Sequence, residues 1–139
     1  MKRIMSNIAL VLTMAVLFSV NVSAAIKDPI TKTIDLPKNQ KWVSCSATRT
    51  GDYDFCYAKC QSVYSTTSSD NFTRIQARVV NSSGTRISVD SKYILSEKDA
   101  GSAVMNIKRG YLSAKSIKFQ FRGNKPEYAA RAKVFYNVM

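Results

Sequence analysis

Three cysteines, Cys45, Cys56 and Cys60, carry the most reactive side chains of this chain, which has no histidine. The absence of histidine removes the commonest metal ligand and the usual general base near neutral pH. Three thiols at this spacing make a poor zinc site, so we expect no metal. In a secreted protein, an odd number of cysteines allows one disulfide and one unpaired thiol.

The pairing of these cysteines depends on the segments that carry them. If residues 42–50 and 53–65 form a hairpin, Cys45 faces Cys56 at a distance that a cross-strand disulfide can span. A shift of the turn by one or two residues makes Cys60 the alternative partner. We therefore predict one structural disulfide from Cys45, and Cys56 is the favoured partner.

The carboxylates Asp52 and Asp54 lie two positions apart in a predicted turn, where they could hold a cation or support acid–base chemistry. On a strand they would share a face, about 7 Å apart, and nothing nearby completes a site. A solvated turn is the simpler interpretation. Serine is abundant, but a serine nucleophile needs an activating base, and no glycine-framed serine or phosphate cradle is present. We therefore expect no catalytic residue, no cofactor and no enzymatic activity.

The strongest compositional signal is positive charge, because 21 Lys and Arg residues face 9 Asp and Glu residues, a net charge of +12. Many of these cations alternate with apolar residues on predicted strands. Like charges that face each other across strands are destabilising, unless a partner supplies the opposite charge. Alternatively, they protect edge strands from aggregation. The candidate anion-binding residues are Arg74, Arg78, Arg86, Lys118, Arg122, Arg131 and Lys133.

A group of aromatic residues surrounds the first predicted hairpin. If Trp42, Tyr53 and Tyr57 are exposed, they form a platform on which sugar rings or bases stack, or an anchor at a membrane interface. The plainer alternative is that most of these rings fill the core of the domain.

The clearest alternation lies in residues 115–138, where two runs flank a turn at Gly123. This period of two is typical of half-buried antiparallel strands. We predict a hairpin with one core face and one cationic face, in which Lys118 and Arg122 lie beside Arg131 and Lys133. The predicted core positions of this pair are Ile117, Phe119, Phe121, Ala132 and Val134.

Seven or eight such short strands follow one another at a spacing of about ten residues, with turn residues between them. Residues 53–65 form the longest strand, with a helix as the alternative because Cys56 and Cys60 are four positions apart. The pattern predicts an all-β fold, a single antiparallel β-sandwich or barrel-like domain.

The N-terminus has the three-part layout of a bacterial signal peptide, residues 1–24. Lys2 and Arg3 precede an apolar stretch, residues 8–20, that is short for a membrane span of about 20 residues. Cleavage after Ala24 would release residues 25–139 as a secreted, extracellular domain with no transmembrane segment. Without Lys2 and Arg3, the net charge of the domain is +10.

Together these features predict a secreted, basic, non-enzymatic binding protein. Its partner would be an anionic surface, either a cell-wall polymer or a membrane lipid, with nucleic acid as another candidate polyanion. One alternative is a bacteriocin-like antimicrobial or toxin, or an inhibitor of another secreted protein. A further alternative is a cell-wall hydrolase.

Overall fold

Alternating apolar and polar residues form two antiparallel sheets, as the sequence pattern predicts. The computed structural model describes residues 29–69 and 72–138, so the predicted signal peptide lies outside the described residues. A short 3₁₀ helix, Arg109–Tyr111, precedes the last two strands. The strands are β1 (Ile30–Leu36), β2 (Val43–Thr48), β3 (Phe55–Ser65), β4 (Arg74–Asn81), β5 (Tyr93–Ser96), β6 (Ala103–Asn106), β7 (Ser116–Gly123) and β8 (Ala130–Val138).

The strands divide into two four-stranded sheets that pack face to face. Sheet 1 has the order β1-β8-β3-β6, and sheet 2 has the order β2-β7-β4-β5. Among the described strands, only β4 and β5 are both consecutive in the chain and paired. Every other connection crosses from one sheet to the other, which is the arrangement of a jelly-roll sandwich. In this part of the chain, no helix has the length and apolar character needed to cross a bilayer.

The prediction that residues 115–138 form a hairpin is wrong. β7 pairs with β2 and β4 in sheet 2, whereas β8 pairs with β1 and β3 in sheet 1. The hairpin predicted for residues 42–50 and 53–65 is wrong for the same reason, because β2 and β3 also lie in different sheets. Alternation determines which side of a strand is buried, but it does not determine which strand lies beside it.

The predicted core positions of β7 and β8 are confirmed, although the two strands face each other across the core. Ile117, Phe119, Phe121, Ala132 and Val134 are all buried. The ring centroids of Phe119 and Tyr136 lie 4.8 Å apart, and those of Phe121 and Tyr136 lie 6.0 Å apart. These contacts join sheet 2 to sheet 1 through aromatic packing, which contributes beyond the area that it buries.

The three cysteines are free thiols in the core, so the predicted disulfide from Cys45 is wrong. Cys45 lies on β2 in sheet 2, and Cys56 and Cys60 lie on β3 in sheet 1. The hairpin that would bring Cys45 opposite Cys56 does not exist. Burial raises the pKa of Cys56 to about 11 and that of Cys60 to about 12, so both thiols stay protonated and unreactive at neutral pH.

We predict that the native protein reacts slowly with a thiol reagent such as dithiobis(nitrobenzoate), because all three sulfurs are buried and protonated. After denaturation in guanidinium chloride without reductant, three thiols per chain should react at once. The release of thionitrobenzoate measures this number. One reactive thiol per denatured chain would show that a disulfide is present after all.

An arginine that the alternation pattern did not assign to the core is also buried. Arg49 is only 2% exposed, and it follows the end of β2. Its Nη1 atom donates hydrogen bonds to the backbone oxygens of Tyr111, Leu112 and Ala114, at 3.5, 3.0 and 3.4 Å. Its Nη2 atom donates to the backbone oxygen of Tyr53. One guanidinium group therefore ties the segment before β7 to the segment before β3.

We predict that Arg49→Met lowers the free energy of unfolding by about 2 kcal/mol or more, because it removes the charged donor from several carbonyl oxygens. Arg74→Met is the control, since Arg74 is exposed, and we expect it to change stability by at most about 0.5 kcal/mol. Urea denaturation measures both values. Equal stability of the two variants would contradict a bonding role for the buried guanidinium.

Candidate anion-binding face

Most of the predicted anion-binding residues lie together on the outer face of sheet 2. Because β4 and β7 pair in antiparallel register, Arg78 lies opposite Gln120, and Arg122 lies opposite Gln76. Arg86 lies next to β4 through its bridge to Val80. We call this surface the cationic face, and it consists of Arg74, Arg78, Arg86, Lys118 and Arg122.

The structure places Arg131 and Lys133 on the opposite side of the molecule, on the outer face of sheet 1, because β8 does not pair with β7. Arg131 forms a two-pronged ion pair with Asp35, with Nε–Oδ1 and Nη2–Oδ2 distances of 2.6 and 3.2 Å. The hydrogen bond from Arg131 holds the pKa of the Asp35 carboxyl below its usual range. The charge of Arg131 is therefore already compensated.

Trp42 lies directly before β2 and contacts two arginines of the cationic face. The Cζ atoms of Arg78 and Arg122 lie 4.2 and 4.3 Å from the centroid of the Trp42 ring. Both distances are within the range of cation–π attraction. The ring thus holds two positively charged groups close together. Because both arginines pack on it, Trp42 does not form the open stacking platform that its sequence position suggested.

The loop before Trp42 is fixed by an unusual backbone. Asn39 and Gln40 have φ angles of 63° and 51°, in the left-handed region that non-glycine residues seldom adopt. The Asn39 N–H donates to the backbone oxygen of Pro126 at 2.8 Å, and Gln40 Nε2 donates to that of Asn124 at 3.1 Å. These bonds hold the loop, and hence Trp42, against the end of β7.

Glutamines orient the two arginines without neutralising them. Arg78 Nε donates to Gln120 Oε1 and Arg122 Nε donates to Gln76 Oε1, both at 2.7 Å. Gln120 in turn donates from Nε2 to Ser44 Oγ at 3.0 Å. A neutral amide accepts the N–H of a guanidinium but leaves its positive charge uncompensated.

No carboxylate of the described residues pairs with the cationic face. In this part of the chain, the ion pairs join Lys115 to Asp52 at 2.5 Å and Arg131 to Asp35. Burial, followed by the nearby charges of Arg122 and Arg86, lowers the pKa of Arg78, but an arginine remains protonated at any physiological pH. The arginines of the face therefore carry their full positive charge without a carboxylate partner among the described residues.

One end of the cationic face borders a shallow hollow of about 160 Å³. Arg74 and Lys125 line it together with Phe72, Thr73 and Asn124.

The predicted aromatic platform is divided between the two sheets. Trp42 belongs to sheet 2, whereas Tyr53 and Tyr57 lie on the side of sheet 1 together with Phe55. The Tyr53 and Phe55 ring centroids are 6.0 Å apart, and those of Phe55 and Tyr57 are 5.4 Å apart. The two groups of rings therefore serve different surfaces.

The two residues of the predicted carboxylate pair, Asp52 and Asp54, make different contacts. Asp52 binds Lys115, and this hydrogen bond lowers the pKa of the Asp52 carboxyl. Asp54 accepts a hydrogen bond from Ile107 N–H through its backbone oxygen at 2.6 Å. Among the described residues, no group of three or more metal-ligating side chains comes together.

Comparison with known proteins adds one similarity in structure. No protein-family model and no curated protein matches the chain. A solved structure of the Yersinia pseudotuberculosis-derived mitogen matches with a TM-score of 0.47 and 15% sequence identity, over 82% of this chain and 88% of that chain. At this score and identity the similarity bears on no residue role, so the candidate site is defined by its own geometry.

We predict that iodide quenches the fluorescence of Trp42, the one tryptophan of the chain, more strongly than expected for the exposure of its ring. Quenching by neutral acrylamide measures that exposure. The positive potential concentrates the iodide anion at the ring. The Arg78→Gln/Arg122→Gln variant should therefore reduce the ratio of the iodide quenching constant to the acrylamide quenching constant by about twofold or more.

The matched control is Lys32→Gln/Lys133→Gln, which removes the same net charge from exposed positions on sheet 1. It should leave the ratio almost unchanged. An equal reduction in both variants would show that iodide responds to net charge and not to the local arrangement around Trp42.

Proposed function

We propose that this chain is a secreted, non-enzymatic binding protein whose cationic face docks on a phosphate-bearing anionic surface of a cell envelope. One observation carries the proposal. Arg78 and Arg122 share the Trp42 ring, and no carboxylate of the described residues balances their charge. Bringing like charges together is unfavourable, and an external anion would relieve that repulsion.

The chemistry of the two arginines favours phosphate. A guanidinium is a planar fork that binds phosphate through two parallel hydrogen bonds. Because each Nε already donates to a glutamine, the terminal Nη donors are the ones that a phosphate would take. The glutamines also reduce the freedom of each side chain, so less entropy is lost when the anion binds.

The extent of the face favours a polymer or a charged surface over a single small anion. Its cations are distributed over β4, β7 and the neighbouring segment of Arg86. A surface with repeated phosphates can occupy several of them together and release its counterions. If the predicted signal peptide directs secretion, the first phosphate-rich surface that the protein meets is a cell envelope.

We predict that the protein binds phosphatidylglycerol vesicles or purified teichoic acid at low salt, and that Trp42 emission reports this binding. With about four phosphate contacts, affinity should fall on the order of 100-fold between about 50 and about 200 mM salt. Arg78→Gln/Arg122→Gln should weaken binding at least about tenfold, the loss of two charge-assisted contacts.

Phosphatidylcholine vesicles and the Lys32→Gln/Lys133→Gln variant are the controls. Equal binding to neutral vesicles, or equal losses in the two variants, would refute docking through the cationic face. The vesicle and teichoic acid arms distinguish lipid from polymer as the source of phosphate. Tighter binding to duplex DNA than to either probe would identify nucleic acid, and not the cell envelope, as the partner.

Secretion is a separate part of the proposal and has its own test. We predict that expression in a bacterial host releases a protein that begins at Ala25, because Ala24 is the small residue expected just before the cleavage site. The mass of the protein in the culture supernatant, measured by mass spectrometry, identifies its N-terminal residue. Retention of an uncleaved chain in the cell would contradict this part alone.

A further inference from the structure

Strand β2 lies at an edge of sheet 2 and pairs there with β7 alone among the described strands. Just beyond β2, the Arg49 N–H donates to the backbone oxygen of Lys115 at 2.8 Å, which continues the antiparallel register of β2 and β7. Hydrogen-bonded pairs alternate along such a ladder. The N–H and C=O groups of Ser44, Ser46 and Thr48 therefore point away from β7, toward the open edge.

The side chains of these three residues lie on the outer face of sheet 2. Ser44, Ser46 and Thr48 are exposed, whereas Cys45 and Ala47 between them are buried. The edge thus combines backbone donors and acceptors with short hydroxyl side chains that do not cover them. Backbone groups that face outward from an edge strand are a template for an added strand.

The other edges of the two sheets are protected. Strands β5 and β6 have only four residues each. The Asn106 N–H on β6 donates to Tyr93 Oη at 3.1 Å, and the Asn106 backbone oxygen accepts from the Val89 N–H at 2.8 Å. On β1, Lys32 occupies a position on the same side of the strand as the buried Ile34. Short edge strands and inward-pointing charges both hinder the addition of another strand.

Strand β2 has none of these protections. It has six residues, and its sequence from Val43 to Thr48 contains no charged residue, no proline and no glycine. Domains that bind extended peptides use an exposed strand edge of this kind, where backbone hydrogen bonds provide the affinity. The contrast with the other edges indicates that β2 is kept open for a partner.

Positive charge flanks this edge on both of its faces. On the outer face, Lys118 of β7 lies opposite Ser46, and its Nζ donates to the backbone oxygen of Ser82 at 3.1 Å, a neutral acceptor that leaves its charge in place. On the inner face, burial raises the pKa of the Cys45 thiol, and the nearby charge of Lys32 opposes that rise. A strand that approaches β2 therefore meets cations above and below it.

We infer that the β2 edge binds an extended acidic segment of another protein, which adds to sheet 2 as an antiparallel strand. Its backbone pairs with the outward N–H and C=O groups of Ser44, Ser46 and Thr48. Residues opposite these three place their side chains on the same outer face. Since strands are about 4.8 Å apart, β7 would lie about 10 Å from the added strand. Glutamates of the segment would then extend over the short hydroxyl side chains toward Lys118 and Arg122.

Other occupants match the edge less well. A second copy of the chain, which carries a net charge of +12, would bring two Lys32 and two Lys118 side chains together across the new pair, and like charges there are unfavourable. A phosphate polymer would satisfy the cations but has no alternating N–H and C=O groups for the backbone. An acidic polypeptide supplies both.

This inference does not rest on the docking of the cationic face on phosphate. Phosphate would bind the guanidinium groups of Arg78 and Arg122, whereas the added strand binds the backbone of β2. A change confined to the β2 backbone should therefore abolish peptide binding and leave vesicle binding as in the parent protein.

The test uses the purified protein and a short labelled peptide in which glutamate and valine alternate. Fluorescence anisotropy should detect its binding, and the counterpart with lysine in place of glutamate should not bind. Methylation of the glutamate nitrogens removes the donors that face β2 but keeps the charge of the peptide. It should weaken binding about tenfold or more.

Two variants at one position separate the backbone from the side chain. Ser46→Pro removes an N–H that the pairing with β7 does not use, so the edge strand tolerates it, and peptide binding should fall about tenfold or more. Ser46→Ala is the matched control, because it keeps the N–H and should bind as the parent does. Thermal unfolding checks that both variants are folded, and the methylated peptide tests the same bonds in the parent protein.

Amide hydrogen exchange locates the bound peptide. In the protein alone, the amides of Ser44 and Ser46 should exchange faster than those of Cys45 and Ala47, which are bonded within the sheet. The peptide should slow exchange at Ser44 and Ser46 by about tenfold or more, and NMR measures each amide separately.

Three outcomes would overturn the inference. The first is equal binding of the glutamate and lysine peptides, or no binding of either at millimolar concentration. The second is that the methylated peptide, or folded Ser46→Pro, binds as tightly as its control, which would assign the peptide to charge alone. The third is slow exchange at Ser44 and Ser46 in a peptide-free protein that sediments as a dimer, which would identify a second copy as the occupant of the edge.

Discussion

Contact between aromatic rings of the two sheets is the interaction on which this structure depends. Phe119 and Phe121 of sheet 2 pack against Tyr136 of sheet 1, and all three are buried. Because most connections cross between the sheets, few strands are stabilised by their neighbours in the chain. The two outer faces exist as defined surfaces only when this core closes, since each depends on strands that are distant in sequence.

The alternation of apolar and polar residues was sufficient to predict an all-β sandwich and the buried faces of β7 and β8. It was insufficient to predict pairing. Strands that are consecutive in a chain are neighbours in many sheets, and that expectation produced both incorrect hairpins. Here the inward faces of β7 and β8 fill the same core from opposite sides. The disulfide prediction failed with the hairpin on which it depended.

The candidate site could be predicted in part. Arginines in outward positions of β4 and β7 indicated a cationic surface, and these residues do come together. The sequence contained no signal that Trp42 would hold Arg78 and Arg122, because that contact depends on the pairing of β2 with β7. The burial of Asn137 was equally inaccessible to prediction, since its position on the outward side of β8 implies exposure, yet the residue is only 7% exposed.

The composition and burial of the titratable groups have a consequence for how the protein responds to its surroundings. The chain has no histidine, and burial moves the pKa values of Cys56, Cys60 and Tyr136 up to about 11, 12 and 12. Hydrogen bonds move those of Asp35 and Asp52 down. None of these five side chains changes its charge between about pH 5 and about pH 8. Acidification within that interval leaves these charges as they are, and the concentration of dissolved ions is the variable that modulates the field of the cationic face.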